Sequence, residues 1–256
     1  MTDPMKLAYE ERGSGPVLLM IHGFPFDRRQ WFPQVAGLAD IRTCVAVDLR
    51  GHGLSLDEEP RDYSMDLFAD DIAATLEDIG VDQADIAGLS MGGYVAFALW
   101  RRHRARVRSL ILSDTKPEAD SDEAKAGRDA AAKAILDEGM AKFHAGLGPK
   151  LMGDDPSADA VERIEQMFVD TDPGVAAAVA IAMRDRQDST SDLGTIDVPT
   201  LWLHGEQDKL MPIDDARARA EAVAGARFIA IPGAGHVPTL ENPDAVSTAM
   251  REFLTT

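Results

Sequence analysis

Short apolar runs alternate with longer amphipathic ones along most of the chain. Val17-Leu18-Leu19-Met20-Ile21, Thr43-Cys44-Val45-Ala46-Val47 and Val107-Arg108-Ser109-Leu110-Ile111-Leu112-Ser113 have the length of strands. So do Ala84-Asp85-Ile86-Ala87, Val198-Pro199-Thr200-Leu201-Trp202-Leu203 and Arg227-Phe228-Ile229-Ala230-Ile231. Unbroken apolar runs of this length fit strands covered on both faces. Lys6 to Glu11 reads as a short edge strand ahead of a Gly13-Ser14-Gly15-Pro16 turn. Helices are predicted over 29–38, 64–79, 213–223 and 243–254, and from Tyr94 onward. In the second of these, Leu67, Phe68, Ile72, Ala73 and Leu76 share one face, and Ser64 is placed to cap it. Strand and helix in turn predict a mostly parallel sheet of about seven strands, with helices on both faces.

The alternation stops at Asp114. From 115 to 191 no strand run occurs, and alanine and acidic residues dominate at helical spacing. Helices are expected over 123–145, 158–169 and 175–186. Asp120, Ser121 or Asp122, Ser157 and Asp172 are candidate N-caps, and Pro173 suits a first helical position. The expected organisation is an α/β core of residues 1–114 and 192–256 with an inserted helical cap over 115–191.

Charge narrows the partners. The 256 residues hold 44 acidic against 26 Lys and Arg side chains, a net charge of −18. That argues against nucleic acid or an anionic membrane surface, and a solvated acidic surface explains it. No apolar run reaches the ~20 residues of a membrane span, and the first residues lack a signal-peptide pattern. The single cysteine, Cys44, sits in a predicted strand and reads as a buried, inert thiol. The expectation is a cytoplasmic protein acting on a small molecule.

The chemistry centres on Gly88-Leu89-Ser90-Met91-Gly92-Gly93, between a strand and a helix. Gly-x-Ser-x-Gly in that setting is a nucleophile elbow. A serine at the tip of so tight a turn needs neighbours without bulk, which Gly88 and Gly92 supply. The amide of Met91, in the first helical turn, is free to bind an oxyanion. Asp208 and His236 also follow predicted strands. In a parallel sheet those ends share one edge, where open α/β folds build their sites. The roles follow: Ser90 attacks, His236 moves its proton, and Asp208 fixes the imidazole tautomer and stabilises its charged form.

With these motifs in view, the chain resembles the α/β-hydrolases over almost its whole length. His22-Gly23-Phe24-Pro25 resembles the family's oxyanion loop, which makes the amide of Phe24 the second donor beside Met91. Asp48-Leu49-Arg50-Gly51-His52-Gly53-Leu54-Ser55 resembles its strand-to-loop signature. Gly205-Glu206-Gln207-Asp208 and Gly233-Ala234-Gly235-His236 match its acid and histidine loops. Within the family it is most similar to small capped carboxylesterases and 3-oxoadipate enol-lactonase-like hydrolases. The resemblance implies a serine hydrolase of short-chain esters or lactones, with no cofactor. The same triad also serves perhydrolase or haloperoxidase-like chemistry and carbon–carbon bond hydrolysis, and some relatives are slow-turnover ligand receptors. One departure is that the strand pair with which such enzymes usually open is here absent or very short at its first member.

Asp114 also follows a strand, but only Asp208 sits in a Gly-Glu-x-Asp loop, so Asp114 is read as a turn or cap residue. His22, His52 and His204 are read as structural, and His103 and His144 as solvated. No metal-ligand spacing and no dinucleotide fingerprint is present. Phe24, Trp31, Met91, Phe143, Met183 and Leu210 are the candidate substrate-pocket residues, with Phe26, Trp202, Met140, Met167 and Phe168 as further candidates. Arg184-Asp185-Arg186 could pair with an acidic substrate tail, although a solvated helix end is preferred.

Overall fold

The computed structural model describes residues 3–57 and 62–256. Its seven strands are β1 (Tyr9–Gly13), β2 (Val17–Ile21), β3 (Thr43–Val47), β4 (Ala84–Leu89), β5 (Val107–Ser113), β6 (Thr200–Gly205) and β7 (Arg227–Ile231). They form one sheet in the order β1-β3-β2-β4-β5-β6-β7. All neighbours run parallel except β1, which lies antiparallel on β3. The edge strand is therefore present, starting three residues and ending two residues later than the expected 6–11. Every residue of β1 is exposed, so apolar patterning could not locate it. β6 starts at Thr200 because Pro199 has no N–H to give to a ladder.

Helices α1 (Phe32–Leu38), α2 (Met65–Asp78), α3 (Met91–His103), α8 (Ile213–Glu221), α9 (Pro238–Glu241) and α10 (Pro243–Leu254) cover the sheet. Between β5 and β6 stand α4 (Asp122–Glu138), α5 (Met140–Leu151), α6 (Ala158–Asp170) and α7 (Pro173–Arg184). Residues 28–31, expected as the start of α1, form a separate 3-10 turn.

Strand side chains alternate between faces, and the core divides accordingly. Leu19, Ile21, Val45 and Val47 pack with α2 and α3. Leu18, Met20, Cys44 and Ala46 pack with α1 and α10. Burial pushes the Cys44 thiol up to about 11, consistent with an inert core residue. A third cluster lies among α4–α7 and includes Phe26, Val237 and Leu240 from the sheet side.

Side-chain caps start α2, α4, α6 and α7 at Ser64, Ser121, Ser157 and Asp172. The continuous helix expected over 123–145 is two helices. Gly139, at φ 82 and ψ 170, takes a conformation open to glycine and ends α4. Among the described residues, no helix is long and apolar enough to cross a membrane.

Candidate active site

Ser90 joins β4 to α3 at φ 54 and ψ −111, a conformation that costs a non-glycine residue roughly 1–3 kcal/mol. The surroundings enforce it. A side chain at Gly88 would meet the Gly92 carbonyl, and one at Gly92 would meet that of Ile21. The Ser90 amide is anchored to the Ser113 carbonyl at 2.9 Å. Thr115 Oγ1 donates to the Ser90 carbonyl at 2.8 Å.

His236 Nε2 lies 2.9 Å from Ser90 Oγ, and its Nδ1 lies 2.8 Å from Asp208 Oδ2. The Asp208 side chain is fully buried. Its Oδ1 accepts from the amides of Leu210 (2.8 Å) and Met211 (3.1 Å). Burial alone would raise its pKa. The adjoining His236, as charge and donor, and the Leu210 amide outweigh burial and hold it below the usual carboxylate range.

Asp114 lies at the bend that ends β5, with φ 46, as a turn residue should, but it is more than that. It is fully buried, its Oδ1 accepts from the Gly205 amide at 2.8 Å, and its Oδ2 is 2.7 Å from Ser113 Oγ. Burial first, and the Asp208 charge second, push its pKa well above the usual range. Asp114, Asp208 and His236 offer ligand atoms within 4.8 Å of one another, close enough to share a cation. Asp208 and His236 already bond each other, and Asp114 is committed to Gly205 and Ser113.

The two loops that carry the acid and the imidazole are tied together. The amides of Glu206 and Gln207 donate to the carbonyls of Ile231 and Ala234. Glu241, which the sequence reading passed over, clamps the histidine loop. Its Oε1 accepts from the amides of Gly235 (3.0 Å) and Val237 (3.2 Å), and its Oε2 from Gly153 (2.7 Å). The His236 amide itself donates to the Leu151 carbonyl at 2.9 Å. The loop needs no swing to bring the ring to Ser90.

On the other flank, Leu49 N–H donates to His22 Nε2 at 3.0 Å, which leaves His22 Nδ1 to donate to the Gly23 carbonyl at 2.9 Å. This neutral imidazole links the Gly23-Phe24 loop to the loop after β3. Burial lowers its pKa to about 4. The His52 ring, 4.9 Å away, is lowered to about 3 by burial and by His22. Among the described residues, the amides of Phe24 and Met91 have no acceptor. His204 Nε2 donates to the Met211 carbonyl at 2.9 Å, a structural histidine as read. His103 pairs with Asp70 and His144 packs on Phe168, so neither is simply solvated.

A cavity of about 540 Å³ opens onto Ser90 and His236. Of the expected pocket residues, Phe24, Phe143, Met183 and Leu210 line it. Trp31 and the Met91 side chain do not: both are fully buried in the sheet's two cores, which claim apolar bulk ahead of any pocket. Phe26, Met140, Met167 and Phe168 fill the core among α4–α7, and Trp202 that beside α3. Lys116, Arg128 and Arg219 line the cavity unforeseen. The only signal for the first was its place three residues past the end of β5, and no motif marked the other two.

A family model described as the alpha/beta hydrolase fold matches residues 16–243. The chain belongs to that family. A pimeloyl-acyl-carrier-protein methyl ester esterase of Chromobacterium violaceum is 30% identical, the match covering 98% of this chain and 99% of that protein. Among solved structures, a thermophilic esterase from Thermogutta terrifontis is 39% identical with a TM-score of 0.93, covering 97% of this chain and 93% of that one. An enol-lactonase from Burkholderia xenovorans is 28% identical with a TM-score of 0.87, covering 98% and 96%. As in the family at large, this α/β-hydrolase carries its candidate nucleophile, base and acid on loops at one edge of the sheet.

Proposed function

We propose that this α/β-hydrolase is a serine hydrolase of carboxylic esters or lactones. The observation that carries the reading is the unbroken line from Ser90 Oγ through the His236 ring to Asp208, with contacts of 2.9 and 2.8 Å. Ser90 attacks the substrate carbonyl as His236 Nε2 takes its proton. Asp208 holds the Nδ1–H tautomer and stabilises the imidazolium. The amides of Phe24 and Met91 bind the tetrahedral oxyanion, each worth about 3 kcal/mol in comparable sites. His236 then protonates the departing alcohol, and water activated by the same nitrogen hydrolyses the acyl-enzyme.

The likeness to an esterase, a methyl ester esterase and an enol-lactonase supports this substrate class. Helices α4–α7, over 115–191, act as the cap on the remaining core, since Phe143, Leu147 and Met183 from them wall the cavity above Ser90.

The test is hydrolysis of 4-nitrophenyl acetate. Ser90→Ala should lower kcat/KM by at least about 10⁴-fold. A phosphonate ester should label Ser90 in the wild type, as read by peptide mass spectrometry. Undiminished hydrolysis by Ser90→Ala, or label on another serine, overturns the reading.

A further inference from the structure

The chain carries a net charge of −18, yet the charged residues that wall the cavity holding Ser90 and His236 are three cations, Lys116, Arg128 and Arg219, against two acids, Asp120 and Asp215. Their local acids do not balance them. Asp120, almost wholly buried, meets Arg186 at 2.7 Å and Arg128 at 3.0 Å, with Lys116 Nζ at 3.9 Å. One carboxylate thus serves three cations. Arg186 stands behind it, buried over the Tyr94 ring at 4.2 Å and bonded to the carbonyls of Met183 and Glu118. It is neither a solvated helix end nor a substrate contact. Arg219 is matched separately, by Glu118 at 2.9 Å and Asp215 at 4.0 Å.

The uncommitted donors are the informative ones. Among the described residues, Lys116 Nζ makes no hydrogen bond, and Arg128 commits only its Nε, to Asp120. Arg219 Nη1 is buried without an acceptor. Burial, with the Arg186 charge next, lowers the Lys116 pKa, while Asp120 and Glu118 oppose that and Arg128 adds to it. An ammonium held among like charges gains most from a ligand that brings its own negative charge. An Arg fork offers a carboxylate two parallel donors.

We propose that Lys116 and Arg128 form a carboxylate-binding pole in the cavity, so that the substrate is an ester or lactone bearing a second, free carboxylate. This rests on the serine hydrolase reading above and narrows its substrate class. The apolar walls, Phe143, Leu147 and Met183 among them, then pack against the carbon chain between the reacting carbonyl and the free carboxylate.

The test compares monoethyl succinate with diethyl succinate, which differ in charge and little in shape, by following ethanol release. Wild type should favour the monoester in kcat/KM, and free succinate should inhibit competitively. In Lys116→Gln and Arg128→Gln the monoester-to-diester ratio should fall at least tenfold, through KM, and succinate inhibition should weaken in parallel. Diester turnover reports whether each variant folds. Lys116→Gln is the safer of the two, because its ammonium makes no hydrogen bond to lose. If wild type ignores the charge, or the variants lose both esters equally, the pole is refuted and the hydrolase reading stands. If calorimetry shows succinate binding that Lys116→Gln abolishes, yet neither ester is cleaved, the pole stands and the hydrolase reading fails.

Discussion

Asp114 and Asp208 stand at two different strand ends, and an oxygen of each lies within 4.8 Å of the other and of a His236 ring nitrogen. Burial and the Asp208 charge shift Asp114 up, while Asp208 is shifted down, so Asp114 is the first of the two to become neutral as pH falls. Asn is close in shape to that neutral acid. The folded-state pKa of Asp114 lies above its unfolded value, so wild-type stability is full near pH 4 and declines as pH rises toward the folded value. Asp114→Asn cannot lose this proton. Its melting temperature should match wild type near pH 4 and exceed it at pH 8, with esterase activity within about threefold. Asp208→Asn, which upsets the imidazole tautomer, should cost about 10⁴-fold in kcat. Thermal melts across pH and steady-state kinetics check both.

The paired imidazoles His22 and His52 set an acid limit. Their folded pKa values, about 4 and about 3, lie below the unfolded value of 6.5. Their contribution is whole above pH 6.5 and is lost as pH falls toward 4. Each pH unit across that window costs about 1.4 kcal/mol per imidazole. Denaturant titrations from pH 7.5 to 4.5 should show this slope. His52→Phe keeps the ring's bulk and should flatten it.

Glu241 holds the backbone on both sides of His236 through one oxygen. Glu241→Ala frees three amides and lets the ring drift. Misplacement of a catalytic group by about 1 Å costs on the order of 10²-fold, so kcat should fall about that far with KM little changed. Glu241→Gln keeps one acceptor oxygen and should fall less. A variant with wild-type kcat would show that the loop holds itself.

Gly93 faces Thr115, whose side chain a Cβ there would meet, and Thr115 is bonded to the Ser90 carbonyl. Gly93→Ala should destabilise by about 1–3 kcal/mol and lower kcat. Adding Thr115→Ala relieves the clash, so the double variant should cost less than the sum of the singles. Chemical denaturation of all four proteins closes the cycle.

What the chain order made readable was local. Ser90, Asp208 and His236 each stand in a short glycine-marked stretch, and the turn chemistry of that stretch is written in adjacent residues. The alternation of Leu18 and Met20 against Leu19 and Ile21 marked a strand with two covered faces. Features that depend on distant neighbours were not readable. Trp31 looks like a pocket aromatic until the α1 and α10 face closes over it. Asp114 reads as a turn residue, which its φ of 46 fits, but its burial against the Gly205 amide follows only from the placing of β6. Lys116 and Arg128 carry no motif, and only the fold brings them to the cavity beside Ser90. The edge strand was expected but its bounds were not, because its residues 9–13 are all exposed and pair with β3 through the backbone.

The bonds from Leu151 and Gly153 to the histidine loop bear on how substrate enters. His236 N–H and the Glu241 carboxylate fasten the end of α5 to the loop that carries the candidate base. On the mechanism proposed above, that corner cannot lift without dragging the base off its serine, so residues 151–153 stay put while substrate enters, as a doorpost does.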